Sequence, residues 1–152
     1  MVFTVTRGTL ENNGILFIRD VLRENLTDPL GTRSGSDWIL KSPVKNQSSN
    51  LPTVVLDQSS CTEDQISFRD GFAIKYVLGL MVWAKGIEQR DDIADEIKVI
   101  LQDDSNDDGT NSLYKEGLIY ESCQSRNNDG YIDGFAELLR IKEMTITFKY
   151  IR

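Results

Sequence analysis

The residues of this chain with the types and spacing for chemistry are mostly acidic or amidic, and they gather in two loops and along one helical stretch. Asp104, Asn106, Asp108 and Gly109 fall at positions one, three, five and six of an EF-hand type calcium loop. In such a loop, alternating carboxylates and amides wrap a hard cation, and the glycine makes the sharp turn. The twelfth position needs a bidentate glutamate, but here it is Lys115. Asn127, Asp129, Gly130, Ile132 and Asp133 echo the same loop, with Ser125 at its first position, Ala136 at its twelfth and Glu137 one residue late. Each loop also adjoins a strand pattern on at least one side, where an EF-hand has two helices. Both are read as Asx-rich turns, with a calcium-binding module as the alternative.

Asp91, Asp92, Asp95 and Glu96 are a second acidic group, on the polar side of a helical stretch that also carries Lys98. Metal-dependent hydrolysis would need them to converge in a pocket, and their spacing reads instead as a solvated face. The chain has no histidine, which rules out Ser-His-Asp and Cys-His mechanisms and histidine-ligated zinc. Ser34-Gly35-Ser36 is no nucleophile elbow, and Gly31 and Gly35 form no phosphate loop. Cys61 and Cys123 sit in polar surroundings and are read as free thiols, a pair between them being the alternative. The expectation is a protein that is no enzyme, with no cofactor and no metal. A net charge of −7 argues against a general nucleic-acid-binding face, because that affinity comes chiefly from Lys and Arg on phosphates. It suits solubility, or an acidic wall past which DNA slides.

The elements that must position these groups fit in a single domain over 1–152. Ordinary globular composition and the lack of any apolar run near the roughly 20 residues of a membrane helix agree with that. The first residues lack the marks of a secretory leader. In GILFIRDVLRENL, Ile15, Ile18, Leu22 and Leu26 make one face of a helix, with Asn12 or Asn13 as cap and Thr27-Asp28-Pro29 as its end. A Gly/Ser/Thr-rich loop with an exposed Arg33 follows. Trp38-Ile39-Leu40 and Leu51 to Asp57 read as strands, with loop from Asp57 to Gln65. The stretch Ile66 to Trp83 is the central strand, with Arg69-Asp70-Gly71 as a potential hairpin turn. Phe68, Phe72, Ile74, Tyr76, Leu78, Leu80 and Val82 share one face; the other turns apolar through Val77, Gly79 and Met81 to Trp83. A second helix runs from about Glu88 to Gln102 on Ile93, Ala94, Ile97, Ile100 and Leu101. Leu113 to Ser122 reads as strand, Arg126 to Gly130 as turn, and Ala136 to Lys142 as either helix or strand. Met144, Ile146, Phe148 and Tyr150 alternate in a closing strand.

Two helices cannot cover both sides of such a sheet. The expected fold is an α+β two-layer sandwich, a mixed or antiparallel sheet of about five strands with two main helices on one face. Val77, Met81 and Trp83 on the uncovered side are the expected oligomer or partner interface, with 41–50 and 103–111 as variable contact loops.

The order of elements, with NLTDP (Asn25 to Pro29), DWIL, VWAKG (Val82 to Gly86), EQRDDIADEIKVIL and a closing FKY strand, resembles the tail terminator, or tail completion, proteins of tailed viruses. That resemblance spans nearly the whole chain. It implies a virion structural protein assembled in the host cytoplasm and located in the tail or neck. Such a subunit forms a homohexameric ring that caps the tail tube and joins tail to head. Its partners are the tail tube protein and neck or connector proteins, DNA passes through the lumen without specific binding, and no membrane is involved. Another head–tail connector or neck subunit is the nearest alternative.

Overall fold

The computed structural model describes residues 4–6, 8–41, 51–67, 71–106, 112–131 and 138–151. Two long helices lie on one face of a five-stranded mixed sheet, the two-layer α+β arrangement expected from the sequence. The elements are α1 (Leu10–Asn25), a one-turn α2 (Gly35–Trp38), β1 (Ile39–Leu40), β2 (Thr53–Ser67), β3 (Gly71–Ala84), α3 (Ile87–Asp104), β4 (Leu118–Asn127) and β5 (Arg140–Tyr150). The strand order is β1-β2-β3-β5-β4, with only β1 and β2 parallel. Among the described residues, no helix is long and apolar enough to cross a membrane.

Alternation in β3 sorts its side chains as expected. Ile74, Tyr76, Leu78, Leu80 and Val82 are all buried under the helices, together with Met144, Ile146, Phe148 and Tyr150 of β5. α1 sets Ile15, Phe17, Ile18, Val21 and Leu22 into this core, and α3 adds Ile93, Ala94, Ile97 and Leu101. Each such side chain contributes about 1.5–3 kcal/mol on leaving water. α1 begins one turn before the expected start, at Leu10 with Thr9 as N-cap, because Leu10 extends the buried stripe. Asn13 instead donates from Nδ2 to the Thr4 carbonyl. At Gly14 a Cβ would stand 3.0 Å from the Tyr76 ring, so the missing side chain lets α1 lie close on the sheet.

Several boundaries differ from the sequence reading. Trp38 closes α2 instead of opening a strand. The polar run Asp57 to Gln65, expected as loop, is the long arm of β2, hairpinned to β3. It needs no apolar alternation, because the backbone ladder to β3 holds it at the sheet's edge. An irregularity between Leu56 and Gln58 leaves Asp57 without a register partner and inverts the side-chain parity beyond it. Ile66 therefore belongs to β2, and the central strand proper starts at Gly71. β4 starts at Leu118, not Leu113, and runs on through Arg126 and Asn127, which were expected as turn. Of the ambiguous 136–142 stretch, Arg140 to Lys142 is strand.

Arg33 is not exposed. Its guanidinium donates to Asp28 and to the Pro52 carbonyl and lies 4.9 Å from the Trp38 ring centre. With backbone donation from Leu30 and Arg33, it holds the Asp28 carboxyl down to about 2, the side-chain bonds to Arg33 acting most. One salt bridge thereby ties the end of α1 to the start of β2.

Candidate functional site

The face of the sheet turned away from the helices is the candidate site. Across β3 and β5 it presents, in register, Lys75 beside Lys149, Val77 beside Thr147, Gly79 beside Thr145, Met81 beside Glu143 and Trp83 beside Ile141. Among the described residues, no helix lies on this side. The three residues expected as an interface do not share one fate. Val77 and Met81 are half-buried, whereas Trp83 is 4% exposed, covered by Leu51, Val55, Leu139 and Ile141 of its own chain. A small second core thus closes the Trp83 end of the face, and no other described element covers the rest.

A hollow of about 500 Å³ lies on this open part, floored by Gly79 and bordered by Asp57, Met81, Gln124, Arg126, Glu143 and Thr145. A smaller one of about 160 Å³ continues past Gly79 to Val77 and Ser60. A glycine inside a strand marks a place where another group approaches closely. Here it removes the side chain that would fill the middle of the face. Gly79 was legible as a glycine in the interior of an apolar strand, but the depth of the hollow also depends on the irregularity at Asp57, which the sequence does not announce. On its rim Arg126 Nε donates to Glu143 Oε2 at 2.6 Å and Asn128 Nδ2 donates to Glu143 Oε1 at 3.0 Å. Those bonds, that from Asn128 first, hold the Glu143 carboxyl below its ordinary range. Lys75 and Lys149 stand directly opposite one another, and neither makes an ion pair among the described residues. Like charges so placed repel.

The other sequence candidates are dispersed. Asp129 accepts from Arg90 at 3.1 Å, from Arg140 at 2.8 Å and from the Ile141 backbone, which lowers its pKa, Arg140 contributing most. Its loop is therefore a salt-bridged corner fixing the start of β5 to α3. Asn127 ends β4, and Ile132, Asp133, Ala136 and Glu137 lie outside the described residues. In the first acidic loop Asp104 Oδ2 accepts from the Leu113 backbone, and Asn106 donates to the Gln102 carbonyl. Asp108 and Gly109 lie outside the described residues. Of the α3 carboxylates, Asp91 pairs with Arg90 and Lys142, Glu96 accepts from the Thr27 backbone, and Asp92 and Asp95 point to solvent. Asp92 and Glu96, with Glu88, border a hollow of about 600 Å³ beside Pro29 and Ile87, but among the described residues no three carboxylates come close enough to hold a metal ion.

Cys61 and Cys123 are free. β3 and β5 lie between their strands, so three strand spacings, about 14 Å, separate them. Disulfide bonding needs Cα atoms within about 7 Å. Burial raises both thiols, Cys61 to about 11 with Glu11 adding to the effect. Neither is set up as a thiolate nucleophile. No family model matches the chain, and no curated protein matches its sequence.

Proposed function

We propose that this chain is a ring-forming virion structural subunit of the tail terminator kind, capping the tail tube and joining tail to head. The reading rests on the resemblance of its element order and short motifs to that family. The observation that carries it here is the uncovered second face of β3. A sheet that buries one side under α1 and α3 leaves Val77, Met81 and the hollow at Gly79 open on the other. Such a face suits contact with a neighbour better than a reaction, since among the described residues no convergent acid–base pair or activated nucleophile lies in it.

The test is mass measurement of the purified chain in solution, combined with electron microscopy of tail tubes assembled in its presence. The expected result is a closed ring and tubes of limited length carrying one ring at an end. A strict monomer that neither caps nor shortens tubes would sink the reading. A ring found at the head vertex and absent from tube ends would favour the connector alternative.

A further inference from the structure

The outward side of α3 has the relief and charge to fill the open sheet face. Asp92, Asp95, Val99, Gln102 and Asp103 are all exposed and fall on one stripe, with Val99 53% exposed as its sole apolar member. Asp92, Asp95 and Asp103 make no ion pair among the described residues. The open face has the complement: a hollow over Gly79 and, beyond it, Lys75 and Lys149, which make no ion pair among the described residues, in a chain of net charge −7. The levels also agree. α3 follows β3 directly and packs back along β3 and β5. At about 1.5 Å per helical residue and about 3.3 Å per strand residue, Val99 stands near the level of Gly79 and Asp103 near that of Val77, about 6 Å short of Lys75 and within the reach of a lysine side chain. One copy stacked behind another would thus set its α3 stripe against the matching features of the next sheet.

We propose that the open sheet face of one copy receives the outward stripe of α3 from the next, Val99 entering the hollow over Gly79 and Asp103 lying against Lys75 and Lys149. This rests on the ring-forming reading and specifies the two surfaces of its contact. The contact is heterologous, front to back, which closes into a ring where the rotation per copy permits. It gives the sheet a second helical layer.

The decisive experiment is charge reversal with solution mass as the readout. K75E/K149E spoils only the sheet surface, and D103K spoils only the helix surface. Each alone is expected to weaken assembly about tenfold at roughly 50 mM salt, with little effect at roughly 500 mM. Mixing the two variants matches each altered surface with its complement and restores assembly, a result that misfolded variants would not give. Assembly of both variants at the wild-type concentration overturns this contact while leaving the ring reading intact. Wild-type chain that stays monomeric at every concentration and salt overturns both.

Discussion

Both faces of β3 carry apolar residues, the helix side more of them, and they meet opposite surroundings. On the helix side, Ile74, Tyr76, Leu78, Leu80 and Val82 are each 4% exposed or less. On the other side Val77 and Met81 are half-buried, Gly79 floors a hollow, and only Trp83 is sealed. Two amphipathic helices are enough for one layer, so the second face is finished only where Leu51, Val55, Leu139 and Ile141 reach it. The contrast separates residues that hold the fold from residues left for contact, and substitutions on each side should report it.

The largest effect belongs to the covered face. Phe148 is fully buried between Tyr76 and Tyr120, its ring 6.2 Å from each. Phe148→Ala should cost about 3–5 kcal/mol from lost transfer energy and the cavity left behind. In a chain of this size that lowers Tm by roughly 10 °C, measured by calorimetry. A loss below about 1 kcal/mol would mean that the helix layer does not close on the sheet as described.

Next comes the corner that joins the layers. Arg90 is 3% exposed and donates to Asp91 at 2.9 Å and Asp129 at 3.1 Å. Arg90→Met should cost about 1–3 kcal/mol, moderated because Lys142 and Arg140 still neutralise the two carboxylates. Amide exchange should quicken first near Asn128 to Tyr131, the loop that Asp129 anchors.

Much of the covered face was legible in the sequence, and much of the open face was not. The 3-4-4 spacing in α1 and the strict alternation from Met144 to Tyr150 name their own buried sides. Val77 and Met81 follow from the same rule as the opposite side of β3. The polar arm of β2 gives no such signal, since backbone pairing with β3 holds it in the sheet without any apolar alternation to announce it. The parity changes at Asp57 and Glu121 are equally silent, being single unpaired residues in otherwise regular ladders. The cover over Trp83 comes from residues distant in sequence, and the burial of Arg33 depends on Trp38 and Pro52 folding back over it. Local pattern carries none of these long-range contacts.

The two Arg–carboxylate pairs extend the comparison to pH. Arg33–Asp28 is nearly shut off from solvent, with side chains 10% and 9% exposed, while the Arg126 side chain of Arg126–Glu143 is 76% exposed. With its folded pKa lowered to about 2, Asp28 binds fewer protons in the native state than in the unfolded chain. Its stabilisation is therefore present above the ordinary Asp range and is lost as pH falls through that range toward about 2. Arg33→Met should cost about 1–3 kcal/mol at neutral pH. Between about pH 5 and 2 it should also flatten the acid limb of stability relative to wild type. Denaturant midpoints across that pH range are the measurement. Parallel acid limbs in the two proteins would show that Asp28 draws its low pKa from elsewhere.

The smallest effect is expected at Arg126. Its pair with Glu143 is short, but the guanidinium is mostly in water, where Coulomb attraction is weak and side-chain ordering offsets much of it. Asn128 also continues to donate to Glu143 when the arginine is gone. Arg126→Gln should therefore change the unfolding free energy of the dilute chain by less than about 0.5 kcal/mol, and salt should barely alter the difference. The residue borders the Gly79 hollow, so a change in assembly without a change in stability would assign it to the contact surface. A loss comparable to that of Arg90→Met would instead make the open face part of the fold's own support, and the distinction between the two sides of β3 would fail there.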